Sequence, residues 1–365
     1  MRLRLCLLNI AYSGANPHLI RELSRRVDLD VVDVPFPKLT DLTLKLKTFH
    51  PRLAVWKRRY SRALNQAFKS YQVFKARSRL AAQGISKLPK KPDAILQIGG
   101  LFSPGRTDIP YATYNDFTTA LASREYPPWA DFKNIKSANR WYELETKLYQ
   151  QAGRVLTLSD YTRKSIIVDY GVSESKTRTV RAGINFSSIQ ERTDGYDCRT
   201  ILFVGYDFVR KGGPTLLDAF TLVREERPDA QLIIVGPQIN EQPGVKCLGQ
   251  ITDRKQLIDL YHKASLFVMP SICEPFGFVF LEAMASKLPC IGTTCDAMPE
   301  IIENGRTGFV VPPGDQKALA EAILKLLGSR ELLTTMGERG RERVSKLFTW
   351  EQTAKHIVEE VEAML

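Results

Sequence analysis

A chain of 365 residues is longer than one ordinary domain, and 44% hydrophobic with 25% charged residues is the composition of a folded protein, which excludes a disordered or low-complexity chain. The formal charge of +12 is uneven: residues 1–195 carry 33 Lys and Arg against 17 Asp and Glu, residues 196–365 carry 19 against 23. Six cysteines without C-x-x-C pairs exclude a paired zinc site and read as reduced thiols of a cytoplasmic protein, and no run approaches the roughly 20 apolar residues of a membrane span.

The elements read in chain order as strand, turn and amphipathic helix. Residues 1–15 imitate a signal peptide, with Arg2 and Arg4, apolar 5–8 and then Ser13-Gly14-Ala15, and contain the apolar run 3–10. Asn9 interrupts that short run and no disulfide framework follows, so it reads as a first β-strand. Helix 17–27, strand 31–34, and a basic stretch 56–83 forming one long helix or a helical pair come next. Strands 94–98 and 111–113, helix 138–151, and strands 155–158 and 179–181 complete this part. The polar segment 187–199 is the linker candidate. The alternation restarts with strand 201–204, helix 214–226, strand 231–235, helix 254–262, strand 265–269, helix 279–286 and strands 289–293 and 309–311. Helices 316–328, 331–347 and 350–364 close the chain. Such alternation predicts an α/β protein of two doubly wound, Rossmann-like domains, 1–190 and 198–348, with a terminal helix 349–365 expected to pack back on the first.

In open parallel sheets ligands sit beyond the carboxyl ends of strands, so the loops after the apolar runs carry the candidates. After 201–204 comes Gly205-Tyr206-Asp207-Phe208-Val209-Arg210-Lys211-Gly212-Gly213-Pro214. Gly205 allows close backbone approach, and Arg210 and Lys211 supply a fork and a point charge for a diphosphate. A glycine-rich turn with two solvated cations is the competing reading. After 265–269, Glu274 lies in a loop and Glu282 one turn into the next helix, with backbone N–H groups of Phe276, Gly277, Phe278 and Val279 at the helix start. A carboxylate among Leu281, Ala283 and Met284 needs a donor partner, and vicinal sugar hydroxyls are suitable. The alternative is an acid that merely offsets the helix dipole.

The Glu274-x7-Glu282 segment resembles the signature of retaining, nucleotide-sugar-dependent glycosyltransferases of family 4, the group 1 family, whose fold is GT-B. The likeness continues through Leu288-Pro289, Pro299-Glu300-Ile301-Ile302, Asn304-Gly305, Thr307-Gly308-Phe309 and Pro313-Gly314-Asp315, and earlier in residues 155–159, Gly171-Val172 and Gly183-Ile184. It is strong over about 150–350 and weak before. The resemblance implies two Rossmann-like domains facing across a cleft, with a nucleotide diphosphate sugar as donor and a hydroxyl acceptor. It implies that Arg210 and Lys211 hold the diphosphate, Glu274 faces the sugar ring, Glu282 binds ribose and the backbone near Ile251 reads the base. It also implies that the leaving phosphate helps deprotonate the acceptor, with neither cofactor nor metal. An epimerase or phosphorylase on the same fold, and a non-catalytic binding protein, are the alternatives.

The first half departs from that pattern. Tyr12-Ser13-Gly14-Ala15-Asn16 has one glycine where relatives are often glycine-rich, and Tyr114-Asn115-Asp116 stands where they often carry His-Asp. Asn115 and Asp116 are candidates for catalytic contact with the sugar or for turn chemistry alone. Asp28-Leu29-Asp30 formally matches a metal-binding Asp-x-Asp but lies at the wrong end of a strand and reads as a solvated turn. His18, His50, His262 and His356 are dispersed. Residues 42–92 carry 14 Lys and Arg and no acid, with Trp56, Tyr60, Phe68, Tyr71 and Phe74 at near-helical spacing. An anionic membrane surface on the inner face and a lipid-linked acceptor are the sharper reading, and a solvated cationic face is the other. Nucleic acid lacks an accompanying motif.

Overall fold

Leu5, Cys6, Leu7 and Leu8 are fully excluded from solvent in β1 (Arg4–Asn9), as a parallel strand covered on both faces requires. The computed structural model describes residues 2–10, 16–105, 108–185, 195–240 and 242–365, so the Tyr12–Ala15 loop and most of the linker candidate lie outside the described residues. The chain divides into two units, residues 1–181 with 350–365, and residues 182–349.

In the first unit β1 leads through α1 (Asn16–Arg26) to β2 (Asp28–Asp33), then to three consecutive helices, α2 (Lys38–Thr48), α3 (Leu53–Phe68) and α4 (Tyr71–Ser86). β3 (Ala94–Ile98), β4 (Tyr111–Asn115), α5 (Thr119–Glu125), α6 (Ile135–Gln151), β5 (Arg154–Thr157), α7 (Asp160–Tyr170) and β6 (Thr177–Thr179) follow. The strands order as β2-β1-β3-β4-β5-β6, every pair parallel. One side of the core gathers Leu8, Ile10, Ala81, Ile95 and Phe102 beneath α4, and another gathers Tyr149, Val155, Ile166 and Tyr170. Between α4 and α6 the fully buried Trp141 meets Phe74 edge-on at 5.7 Å and donates its indole N–H to Thr119 Oγ1 at 2.9 Å. Buried Glu145 accepts from the Tyr170 and Tyr149 hydroxyls at 2.6 and 3.1 Å, so the charge left by desolvation has partners.

The second unit runs β7 (Thr200–Val204), α8 (Gly213–Glu226), β8 (Gln231–Val235), β9 (Val245–Gly249), α9 (Arg254–Lys263), β10 (Leu266–Val268) and α10 (Phe278–Ala285). It ends with β11 (Cys290–Thr293), α11 (Met298–Ile301), β12 (Gly308–Val311), α12 (Gln316–Leu327) and α13 (Arg330–Leu347). Its strands order as β12-β11-β10-β7-β8-β9, again all parallel. The path leaves β7 toward β9 on one side and restarts at β10 on the other, so the switch point lies between β7 and β10. Two parallel six-stranded sheets flanked by helices are the two-domain α/β GT-B fold.

The last helix, α14 (Trp350–Glu362), belongs to the first unit. Its stripe of Trp350, Ala354, Ile357 and Val361 is buried, and Glu360 pairs with Arg154 and Arg178, both at 3.0 Å. Of the two forms expected for the basic stretch, the structure shows the helical pair, α3 and α4; the α2 before it and β9 were not expected, and the reading of Asp28 and Asp30 changes. β9 is an edge strand whose exposed Lys246 breaks its apolar run. Asp28 and Asp30 are not a turn: they open β2, and Arg4 on β1 binds them at 3.6 and 3.0 Å because parallel register sets them beside it. Among the described residues no helix is long and apolar enough to cross a membrane.

Trp141 closes the seam between α4 and α6, so Trp141→Ala should destabilise the first unit by about 3–5 kcal/mol. Urea unfolding followed by circular dichroism measures it; an unshifted transition would show that the seam closes without the indole.

Candidate active site

The loop after β7 is shaped by Asp207. Its Oδ1 accepts from the Arg210 N–H at 3.3 Å, and its Oδ2 accepts from Arg210 Nε at 3.1 Å, so one carboxylate folds the turn and aims the guanidinium. Lys211 N–H donates to the Asp207 carbonyl at 2.9 Å. Gly212 then takes φ +73°, and a Cβ there would fall 1.8 Å from the Pro270 carbonyl oxygen, so glycine is required on both counts. A Cβ on Gly205 would meet Lys211 Cδ at 2.2 Å: the missing side chain is the space through which the lysine stem passes. The competing reading of two solvated cations is set aside, because Arg210 is 8% exposed and the Lys211 side chain 13%.

The loop after β10 supplies what those cations face. Lys211 Nζ donates to Glu274 Oε2 at 2.9 Å, Arg210 Nη1 approaches the same oxygen at 3.4 Å, and Arg210 Nη1 also donates to the Cys273 carbonyl at 2.6 Å. Ile272 N–H binds the Arg210 carbonyl at 2.9 Å, joining the two switch-point loops through backbone. Glu274 N–H in turn donates to Asp296 Oδ2 at 2.6 Å, with Asp296 itself in the left-handed region at φ +48°. Burial pushes the Glu274 carboxyl upward, but the Lys211 and Arg210 charges outweigh it and hold the group below the ordinary glutamate range.

Gly277, at φ +80°, precedes the first turn of α10, and the rings of Phe276 and Phe278 meet at 5.2 Å across it. Glu282, the fifth residue of that helix, is 4% exposed. Tyr261 on α9 donates its hydroxyl to Glu282 Oε2 at 3.2 Å, and Arg254 at the start of α9 reaches Oε1 at 3.4 Å. Here burial prevails over both partners and the carboxyl lies above the ordinary range. Val279 is half-buried beside Phe278, and Ile251 is half-buried in the connection from β9 to α9. Gly205, Arg210, Lys211, Glu274, Phe276, Gly277, Phe278, Val279, Glu282 and Ile251 thus all belong to the second unit, at or near the carboxyl ends of its strands or at the start of α10.

The first-unit candidates are placed differently. Asn115 is the last residue of β4, fully buried, and its amide donates to Thr113 Oγ1 at 2.9 Å and the Leu156 carbonyl at 3.2 Å. The expected donation to a sugar is corrected to cross-strand anchoring, since both amide hydrogens are spent inside the sheet. Asp116 emerges at the carboxyl end of β4 and is exposed, its carbonyl accepting from Thr162 Oγ1 at 2.8 Å. Among the described residues no group of three or more His, Cys, Asp or Glu side chains is arranged to hold a metal ion.

Asp207, Arg254, Tyr261 and Asp296 were missed by sequence reasoning. Asp207 had a local signal, standing three residues before Arg210 in a turn; the other three reach the site only through the fold.

Residues 198–329 match the family model described as glycosyl transferases group 1. The chain is 28% identical over 234 residues to an MMP alpha-(1->4)-mannosyltransferase of Mycolicibacterium hassiacum, covering 60% of this chain and 57% of that protein. It is 35% identical over 191 residues to a phosphatidyl-myo-inositol mannosyltransferase of Mycobacterium leprae, covering 48% and 50%. These alignments span little more than half the length of the curated relatives. The solved structure of a sucrose-phosphate synthase from Thermosynechococcus elongatus superposes with TM-score 0.72 at 20% identity, covering 100% of this chain and 99% of that one, a likeness of fold.

Lys211→Met should destabilise the second unit at neutral pH by on the order of 2 kcal/mol, because a buried carboxylate loses its shortest charged partner. A group whose folded pKa is depressed contributes stability above its unfolded pKa and loses it as pH falls through the folded value. The gap between wild type and variant should therefore close on acidification below the usual glutamate range, as followed by urea unfolding; a gap constant with pH would mean the lysine acts by packing alone.

Proposed function

We propose that this chain, a group 1 glycosyl transferase by its residues 198–329, moves a sugar from a nucleotide diphosphate to a hydroxyl acceptor with retention of anomeric configuration and without a metal ion. The observation that carries the reading is the buried Arg210–Lys211–Glu274 cluster at the switch point of a parallel sheet, one helix start away from a second buried acid. Two cations held there by carboxylates form a diphosphate cradle that needs no rearrangement of the chain, only transfer of hydrogen bonds from Glu274 to phosphate oxygens. As the bond from anomeric carbon to phosphate oxygen breaks, the diphosphate gains charge and the cations stabilise it more than they stabilise the bound donor. The acceptor oxygen bonds the same face of that carbon and its proton passes to the departing phosphate.

Glu282 is the acid assigned to the ribose hydroxyls, and Tyr261 and Arg254 fix its two oxygens from one side. Both mycobacterial relatives are named as mannosyltransferases and one name specifies phosphatidyl-myo-inositol, so a mannosyl donor and a lipid-borne polyol are the first pair to assay.

The deciding assay is acceptor-dependent release of nucleoside diphosphate; an isomerised sugar nucleotide, or phosphorolysis without transfer, would sink the reading. Replacing both Arg210 and Lys211 by Ala should raise the barrier by about 2–4 kcal/mol, chiefly in kcat, whereas undiminished turnover would remove them from the chemistry.

Glu282→Gln should weaken nucleoside diphosphate binding by about 1.5–3 kcal/mol. Since burial holds this carboxyl above the 4.5 of an ordinary glutamate, wild-type affinity should begin to fall on acidification at a higher pH than an exposed acid would give. The Gln variant should lack that component, and calorimetric titration of both proteins across pH reads the difference. Identical pH profiles would clear Glu282 of the ribose role.

Arg210, Lys211 and the start of α10 supply the positive field a divalent ion would otherwise give, so turnover should survive excess chelator. A complete loss restored by added metal would overturn metal independence.

A further inference from the structure

Single apolar side chains on a surface are ordinary, but α2 presents a continuous set. Leu39, Leu42 and Leu46, at i, i+3 and i+7, are 78%, 55% and 70% exposed, and Phe49 and Leu53 extend the set at 67% and 56%. The helix is not loosely attached. Its other face, with Thr40, Asp41, Leu44 and Thr48, is half-buried, and Asp41 accepts from the Tyr60 hydroxyl and pairs with Lys45 at 2.7 Å. Trp56 Nε1 donates to the Lys45 carbonyl at 3.4 Å. The leucines therefore point away from a fixed inner face.

The expected seam of aromatic residues is corrected by the same geometry. Phe74 is buried, Phe68 and Phe36 sandwich the buried guanidinium of Arg77 at 5.1 and 5.5 Å, and Tyr71 lies under Arg140 at 3.4 Å. Those rings are occupied within the first unit, because α4 packs on the sheet and α6 along the very face that carries them. The outward apolar surface is instead aliphatic and lies upstream, on α2 and the start of α3. Exposed Lys38, Lys45 and Lys47 flank it on α2, and Arg52, Lys57, Arg58 and Arg59 continue the positive charge along α3.

We propose that the outer face of α2 with the start of α3 is a docking surface for an anionic lipid bilayer. Leu39, Leu42, Leu46 and Phe49 enter the boundary between head groups and acyl chains, while the flanking lysines and arginines meet the anionic head groups. Charge selects this occupant over the others. A second copy would oppose cation to cation, with no acid in residues 42–92 to relieve it. A nucleic acid would satisfy the cations and leave the leucines in water. The surface lies in the first unit and is independent of the donor reading.

The test is co-sedimentation of the full chain with equimolar phosphatidylglycerol and phosphatidylcholine vesicles, and with phosphatidylcholine alone. Wild type should pellet with the anionic vesicles only and be released as ionic strength rises, since screening reaches about 8 Å at 0.15 M. Leu39→Ser, Leu42→Ser and Leu46→Ser together should lower the partition by about tenfold or more, and Lys57, Arg58 and Arg59 all changed to Gln should lower it and flatten its salt dependence. An environment-sensitive dye on Leu42→Cys should shift to the blue on anionic vesicles. Equal recovery with both vesicle types, a leucine variant that partitions like wild type, a dye that does not respond, or stronger competition by duplex DNA than by lipid would each overturn the proposal.

Discussion

The second unit is organised around one constraint: two cations and a carboxylate share a buried corner where a parallel sheet changes direction. Taking Arg210, Lys211 and Glu274 out of water is unfavourable for each alone, and their mutual attraction offsets it only if all three are held. The fold supplies the holding atoms. Asp207 aims the guanidinium, the Cys273 carbonyl receives its far nitrogen, and Asp296 grips the backbone of Glu274. Gly205 and Gly212 follow from the same requirement, since one leaves room for the lysine stem and the other lets backbone pass against Pro270.

Two buried glutamates eight residues apart differ in what their neighbours do to them. Glu274 faces two cations and is held ionised below the usual range, whereas Glu282 faces one half-exposed arginine and a tyrosine and is left above it. An acid already saturated with cations orients those cations; one short of donors still has acceptor capacity to offer. That difference is consistent with the proposed roles, Glu274 beside the diphosphate cations and Glu282 toward the hydroxyls.

The alternation of strands and helices was legible because buried parallel strands are continuous apolar runs, and β3 and β8 fall on residues 94–98 and 231–235 as read. Arg210, Lys211, Glu274 and Glu282 were legible because they sit in loops and a helix start directly after such runs. Illegible were the residues that arrive from elsewhere: Asp296 lies beyond the next strand, and Arg254 and Tyr261 on a helix that precedes β10. Asn115 shows the opposite failure. A polar residue near a strand end looks available to a ligand, yet two more residues of pairing along β4 place it inside the sheet.

Net charge is a poor guide to where this molecule would hold an anion. The half that carries more acids than bases contains the buried cation pair, because what a phosphate meets is the local field of two fixed, desolvated groups rather than a domain total. The strongly basic half shows the converse. Apart from Arg77, buried between Phe68 and Phe36, much of its excess lies on exposed positions of α2 and α3, such as Lys47, Lys57, Arg58 and Arg59, where salt screens each charge. Charge of that kind suits an extended anionic surface, and the bilayer proposed as its partner would also bury the exposed leucines of α2. Composition could count the cations of residues 42–92, but the direction in which α2 turns its leucines is what distinguishes a solvated face from an interfacial one.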